Sequence, residues 1–230
     1  MNKKLLAKRV VDTILKKDLI RRKQISIKYD IIGNKDASFA VASNSLKQDS
    51  VVYSFGVGTD VSFDAGLIKM YNLKVYAFDP TPKSLEWIKK NNSLPDGFIF
   101  NPWGISDEDK MEKFYPPSND AYDSFSIGNI QNTDKSYVEC QVYRLKTIKK
   151  KLNHSKVDLL KMDIEGQEYD VLNDILDSDD LSPQIAVEFH HRFIKSGANK
   201  TKDVIKKLNG KGYKIFYVSE NGEEYSFIKM

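Results

Sequence analysis

Asp158-Leu159-Leu160-Lys161-Met162-Asp163-Ile164-Glu165-Gly166-Gln167-Glu168 reads as a buried strand that ends in charge and then in a glycine turn. Val157, Leu159, Leu160 and Met162 supply the apolar run, and Tyr169, Val171, Leu172, Ile175 and Leu176 follow at helical spacing. A strand that hands over to a helix is the unit of an open α/β sheet, whose ligands bind beyond the strands' carboxyl ends, where strand order reverses. Lys161 and Asp163 lie two positions apart, so they leave an extended backbone on one side. Charged groups ending an apolar strand are costly to bury. They mark either a site or a strand-end salt bridge that orients the Gly166 turn.

The same unit repeats outward from this stretch. Strands are expected at 51–55, 74–78, 98–100, 157–162 and 184–189, with helices at 61–71, 82–92, 145–152, 167–177 and 201–208. The chain closes in two strands, 213–218 and 224–228, joined through Glu220-Asn221-Gly222, a strong hairpin turn. That hairpin forces one antiparallel strand into a mainly parallel sheet. Residues 111–144 break the rhythm and read as an inserted strand–loop–strand, its loop rich in Ser, Asn, Asp and Gly. Upstream, 24–49 alternates through Ile25, Ile27, Tyr29 and Ile31 and turns at Gly33-Asn34-Lys35-Asp36, a β-hairpin extension. Residues 1–23 carry a basic amphipathic helix pattern over 3–23, with Leu5, Leu6, Val10, Val11, Ile14, Leu15 and Leu19 on its apolar face. Its expected use is to pack that face on the domain or on a second copy of the chain, with the lysines in water. Lying on an anionic membrane is the alternative use. Residues 50–230 form the main domain.

Composition narrows the classes. Of 230 residues, 40% are hydrophobic and 11% aromatic, which provides for a substantial core and argues against disorder. A single cysteine, Cys140, excludes an intrachain disulfide and any multi-cysteine metal centre, and suits a reducing compartment such as the cytoplasm. No run of about 18 apolar residues exists, and basic residues interrupt the first apolar positions, so a secretory signal is not expected. The net charge of +4 is too small to imply nucleic acid as a partner.

Phe55-Gly56-Val57-Gly58-Thr59-Asp60 lies where the first main strand meets its helix, and Gly56 and Gly58 there let a ligand approach the backbone. Asp79 ends the next strand about 20 residues on, at a spacing suited to receiving ribose hydroxyls. Asp60 and Asp64 near the helix start would oppose a pyrophosphate but suit a ligand bearing an ammonium and a sulfonium. That favours S-adenosylmethionine over NAD. No phosphate loop of the Gly-x-x-x-x-Gly-Lys-Ser/Thr type occurs.

Taken together, Val51–Asp64, Val75–Pro82, Asn101–Asp107, Leu159–Glu168 and Ala186–His190 resemble the FkbM-type S-adenosylmethionine-dependent methyltransferases, over roughly residues 24–193. The resemblance implies a Rossmann-like class I methyltransferase fold: an α/β three-layer sandwich whose seven-stranded, mostly parallel sheet ends in an antiparallel hairpin. It implies that Gly56 and Gly58 line the methionine and ribose part and that Asp79 holds the ribose. Trp103 and Gly104 would lie near the adenine, and Asp163 beside the methyl group. Two positions depart from the family pattern: Ser54 replaces the usual acid of the first strand, and Asp60 replaces a later glycine, with Asp60 or Asp64 as compensation.

Methyl transfer requires alignment of acceptor and methyl and, for a hydroxyl, removal of a proton. Candidates cluster after the strands at 157–162 and 184–189: Lys161, Asp163, Glu165, Glu188, His190 and His191. A histidine oriented by a carboxylate serves as a general base near neutral pH, which casts His190 beside Asp163. Asp163, Glu188 and His190 would alternatively hold Mg²⁺. The acceptor is expected to be a sugar hydroxyl of a glycan, polysaccharide or glycosylated metabolite. Asn119, Asp120, Tyr122, Asp123, Ser124, Asn129 and Gln131, near Tyr115, Phe125 and Tyr137, offer it hydrogen bonds and flat apolar faces. The competing readings are an NAD-dependent oxidoreductase and a binding module that kept the sheet without the chemistry.

Overall fold

The computed structural model describes residues 3–35, 37–119, 124–127 and 136–230. In chain order, α1 (Lys3–Ile14) leads to the pair β1 (Tyr29–Ile32) and β2 (Phe39–Ala42). The main alternation then begins with β3 (Val51–Phe55), α2 (Ser62–Tyr71), β4 (Lys74–Phe78), α3 (Pro82–Lys90) and β5 (Phe98–Asn101). Next come β6 (Gly104–Ile105), β7 (Lys110–Tyr115), β8 (Ser126–Ile127) and β9 (Val138–Tyr143). The alternation resumes with α4 (Leu145–Leu152), β10 (Leu159–Met162), α5 (Glu168–Asp177), β11 (Gln184–Glu188) and α6 (Gly197–Gly210), and β12 (Tyr213–Val218) and β13 (Glu224–Lys229) end it.

The principal sheet has seven strands in the order β12-β13-β11-β10-β3-β4-β5, with β13 antiparallel to both of its neighbours. From β3 the chain steps outward to β4 and β5, then returns to place β10 on the other side of β3. Strand order therefore reverses between β3 and β10, which is where an open α/β sheet forms its ligand crevice. The register pairs Phe55 with Phe78 on one side and with Met162 on the other, and Met162 with Val187, so four strand tips end at one level. This is the class I methyltransferase arrangement that the resemblance implies.

Alternation along the strands divides the core. Tyr53, Phe55, Leu160, Met162, Ile185 and Val187 pack with residues of α4, α5 and α6. Val52, Val75, Leu159 and Ala186 face Phe63 and Leu67 of α2 and Ile32, Phe39 and Val41 of the β1–β2 hairpin. The hairpin thus serves as part of the second covering layer. Gln184 secures it: its side-chain oxygen accepts from the Ala42 N–H at 3.0 Å, and its amide donates to Ser45 Oγ at 2.6 Å.

The N-terminus departs from expectation in its length and bears on the use of its apolar face. The helix stops at Ile14 instead of running to residue 23, and Lys16 takes a left-handed φ of 58° as the chain doubles back. The cause is Asp18, whose buried carboxylate accepts from Arg9 Nε (3.1 Å), Arg192 Nη2 (2.9 Å) and the Leu19 N–H (2.6 Å) and meets His191 Nε2 at 2.9 Å. A continuous helix cannot present Asp18 to that cluster. Most of the apolar face does not pack on this chain's own domain, which leaves it open to a second copy or a membrane surface. Arg9 is only 5% exposed and points inward, whereas Leu6, Val10, Val11, Ile14 (75% exposed) and Leu15 face solvent.

The insertion is larger than a pair of strands. Among the described residues, β6, β9, β7 and β8 make a separate four-stranded sheet around Phe114, Cys140 and Val142. Two-residue strands such as β6 and β8 are too short to leave a periodic signal. Asp36, Asp120, Tyr122, Asp123, Asn129 and Gln131 lie outside the described residues. No helix among the described residues is long and apolar enough to cross a membrane.

Candidate active site

The switch point opens into a cleft whose walls come from the loops after β3, β4, β10 and β11, from Gly104 and Ile105, and from Phe114, Phe125 and Ile127 of the inserted sheet. Gly56 leaves β3 with a positive φ of 77°, and a Cβ there would overlap the Asp163 carbonyl oxygen. Only glycine permits that approach. Gly58, at φ 54°, donates its N–H to Asp79 Oδ2 at 2.9 Å. Asp79 Oδ1 accepts from the N–H (2.9 Å) and hydroxyl (2.6 Å) of Thr81, whose side chain caps α3. Asp79 is 6% exposed, and burial pushes its carboxyl above the usual range against those bonds. With three acceptor positions filled, it both shapes the glycine loop and keeps lone-pair capacity for a ligand.

Asp60 and Asp64 divide the labour at the opposite end of the loop. Burial works against ionised Asp60, but the Ser62 hydroxyl and N–H, Asn34 and the charge of Lys161 hold it below the usual range. Its oxygens accept from Ser62 N at 2.7 Å and Asn34 Nδ2 at 3.2 Å, tying the hairpin turn to the start of α2. Asp64 lines the cleft yet is buried, and desolvation raises it to about 6 despite the charge of Lys161. Among the described residues Asp64 Oδ1 and the Ser54 hydroxyl are buried without a well-formed hydrogen bond, though the nearby Ser54 hydroxyl helps to hold the Asp64 carboxyl down. Unsatisfied buried acceptors are rare and point to a missing donor.

Beyond β10 and β11, four carboxylates surround one imidazole. His190, 7% exposed, meets Glu168 Oε1 through Nδ1 at 2.7 Å. Its Nε2 faces Glu165 Oε2 (3.4 Å), Asp163 Oδ1 (3.7 Å) and Glu188 Oε1 (3.9 Å). Burial disfavours the imidazolium, but Glu168 above all, then Glu165 and Asp163, raise its pKa well above the ordinary value. Burial, then the Asp163 charge, pushes Glu188 up, and burial also raises Glu165. Glu165 reaches the cluster from a left-handed backbone, φ 50°, a conformation uncommon outside glycine and concentrated at functional sites.

Several expected roles change in this geometry. Glu168 takes Nδ1 of His190 and three carboxylates face its Nε2, surroundings that favour the imidazolium over the neutral imidazole that a general base requires. His191 alternates to the other side of the backbone and meets Asp18, away from the cleft. Lys161 Nζ donates to the carbonyls of Phe55 (3.1 Å) and Gly56 (2.9 Å) and stands 4.0 Å from Asp163, so it braces the β3 tip. Trp103 does not line the cleft. It packs on Phe78 and Tyr143 with Lys151 Nζ 5.5 Å from its ring. Gly104 does line the cleft, but packing requires it: a Cβ would stand 2.9 Å from Val142 Cγ1. Glu168 is the member that sequence reasoning overlooked. Its signal was an acid in the first turn of a helix that follows a glycine, normally read as a helix-end charge.

The family profile described as "Methyltransferase FkbM domain" matches residues 46–215. No curated protein matches the chain. Among solved structures, methyltransferase FkbM from Methylobacillus flagellatus is 13% identical with a TM-score of 0.49, over 80% of this chain and 44% of that one. This chain therefore spans less than half of that protein. An rRNA methylase from Streptococcus thermophilus is 12% identical with a TM-score of 0.46, over 81% and 90% of the two chains. The fibrillarin pre-rRNA processing protein of Methanococcus jannaschii is 13% identical with a TM-score of 0.46, over 91% and 86%.

Proposed function

The chain belongs to the FkbM methyltransferase family, and from that premise we propose that it is an S-adenosylmethionine-dependent O-methyltransferase whose acceptor is a sugar hydroxyl of a glycan, polysaccharide or glycosylated metabolite. The observation that carries the cofactor reading is Asp64, a buried carboxylate on the cleft wall with one oxygen lacking a well-formed hydrogen bond among the described residues. Together with the Ser54 hydroxyl it offers acceptors to an ammonium. The glycine loop lies between it and Asp79, which offers acceptors to ribose hydroxyls. A pyrophosphate, as in NAD, would face Asp60 and Asp64 instead, which disfavours the oxidoreductase alternative.

Bound there, S-adenosylmethionine would supply an electrophilic methyl carbon, so that an acceptor oxygen forms the new O–C bond while the S–C electron pair returns to sulfur. The protein's part is to align the acceptor and receive its proton. Asp163 is the carboxylate placed for that transfer, at the β10 tip against the glycine loop. Lys161 and Gly56 position it, and His190 and Glu188 border the acceptor side. Trp103 has no place in this reading; Gly104, Ile105 and Phe114 make the wall expected to face the purine.

Among the described residues Lys161 is the one lysine or arginine on the cleft wall, and it is committed to backbone carbonyls, which supports a neutral acceptor over nucleic acid. The aromatic and polar residues of the inserted sheet and its loop suit a sugar ring. Cys140, buried and the only cysteine, fits a cytoplasmic setting. The test is incubation with methyl-labelled S-adenosylmethionine and a panel of oligosaccharides, glycosylated metabolites and RNA. Label recovered as a sugar methyl ether supports the proposal; label recovered only in RNA contradicts the acceptor class.

A further inference from the structure

We propose that Asp163, Glu165 and His190 bind one divalent cation of the Mg²⁺/Mn²⁺ class, and that this cation holds the acceptor hydroxyl. One ligand atom from each of the three residues lies within 4.8 Å of the others. His190 Nε2 stands 3.4 Å from Glu165 Oε2 and 3.7 Å from Asp163 Oδ1. Metal–ligand bonds of about 2.1 Å place neighbouring ligand atoms roughly 3.0–3.5 Å apart. The two distances from His190 Nε2 lie close to that range, and the set as a whole, within 4.8 Å, closes onto an ion by rotation of the Asp163 and Glu165 carboxylates.

The imidazole is prepared as a ligand. Nδ1 is taken by Glu168, a fully buried carboxylate that also accepts from the Gly166 N–H at 3.0 Å. A carboxylate behind the ring fixes the tautomer and raises the basicity of the other nitrogen, the usual outer support of a metal-bound histidine. Nε2, on a side chain more than nine-tenths buried, faces three carboxylates at 3.4–3.9 Å, with Nδ1 alone of its ring nitrogens in a hydrogen bond among the described residues. Among the described residues Glu168 Oε2 is buried without a hydrogen-bond partner.

Charge points the same way. Asp163, Glu165, Glu168 and Glu188 surround a single imidazole, and Lys161, the cation beside Asp163, is committed to backbone carbonyls. A dication seated between Nε2 and the two carboxylates would supply positive charge where these groups converge. Oxygen ligands with one imidazole suit Mn²⁺ and Mg²⁺ better than metals that favour thiolates. An acceptor hydroxyl in an open coordination position becomes more acidic. Its proton passes to Asp163 Oδ2, the oxygen left free when Oδ1 binds the metal, as the hydroxyl oxygen takes the methyl group. The acceptor step rests on the methyltransferase reading; the metal site itself does not.

The test is calorimetric and paramagnetic-resonance titration of the chelator-treated full chain with Mn²⁺, beside a titration with S-adenosylhomocysteine. One Mn²⁺ per chain is expected, weakened at least 10-fold in Glu165→Gln and in His190→Gln while S-adenosylhomocysteine binding stays at the wild-type level. Methyl transfer is expected to fall at least 10-fold with chelator and to return with Mn²⁺ or Mg²⁺. No stoichiometric Mn²⁺ binding, or equal binding by both variants, overturns the site. Transfer that fully resists chelator overturns its catalytic use. Mn²⁺ binding without S-adenosylhomocysteine binding would keep the metal site and remove the methyltransferase reading.

Discussion

Gly56 and Asp163 end neighbouring parallel strands, and the two backbones pass so closely that a Cβ at position 56 would overlap the Asp163 carbonyl oxygen. This contact sets the glycine loop against the acid proposed to receive the acceptor proton. The proposed cofactor and acceptor pockets therefore share one hinge of backbone, held from below by Lys161.

Gly56→Ala should accordingly damage both. Its φ of 77° alone costs a β-carbon residue about 1–3 kcal/mol, and the overlap adds to that. Thermal unfolding should show a lower midpoint and calorimetry at least a 10-fold loss of S-adenosylhomocysteine affinity. Wild-type values for both would show that the strand tips are not coupled as described.

Asp79→Ala removes the acceptor for the Gly58 and Thr81 N–H groups as well as for a ribose. Leaving such donors unmatched costs about 1–3 kcal/mol, so stability and affinity should fall together. Asp79→Asn keeps the shape and one acceptor oxygen but turns an NH2 toward the Gly58 or the Thr81 N–H, so it should lose less stability than Asp79→Ala and still lose affinity. If Asp79→Ala binds S-adenosylhomocysteine as tightly as wild type, the ribose role is wrong.

Asp64 links pH to both stability and binding. Its folded pKa, about 6, lies above the ordinary carboxylate value, so the folded state holds a proton that the unfolded chain has released between roughly pH 4 and 6. Stability from this group should fall as pH rises through that window and level off above it. Asp64→Asn should then be the more stable protein above pH 6, by about 1–3 kcal/mol. S-adenosylhomocysteine affinity should instead rise with pH through 6, because its ammonium pairs with ionised Asp64. Urea unfolding and calorimetry at pH 5, 6 and 7 read both effects, and a pH-independent affinity would remove Asp64 from the ammonium site.

Asp18 should act in the opposite sense. Burial opposes its charge, but Arg9, His191 and Arg192 hold its carboxyl far below the usual range. Its contribution is therefore complete above about pH 4 and is lost as pH falls below that. Asp18→Asn should destabilise the chain by about 3 kcal/mol at pH 7, as removal of one partner from a buried ion cluster does. The difference from wild type should shrink by pH 2. A constant difference in urea midpoints from pH 7 to pH 2 would contradict this assignment.

The main alternation was legible because each strand from 51 to 189 is a short apolar run bounded by turn residues, and each helix has an apolar stripe. The Asn221-Gly222 turn made the antiparallel ending legible as well. Asp79, Asp163, Glu188 and His190 were expected together, and they line one cleft because strand ends in such a sheet converge. Long-range pairing was invisible: nothing local tells that Asp18 meets His191 and Arg192, or that α1 turns Arg9 inward and its leucines and valines outward. Trp103 was placed near the adenine by the resemblance alone, whereas Phe78 and Tyr143 take the indole away from the cleft. His190 was located but its proton was not, since that depends on how many carboxylates surround it.

The most direct measurement is a titration of the purified chain with S-adenosylhomocysteine and, separately, with NAD, followed by a crystal structure of whichever ligand binds. The account predicts one S-adenosylhomocysteine per chain and no response to NAD. It places the ribose against Asp79, the ammonium against Asp64 and the sulfur toward Asp163. Binding of NAD alone, or a ribose seated away from Asp79, would contradict it.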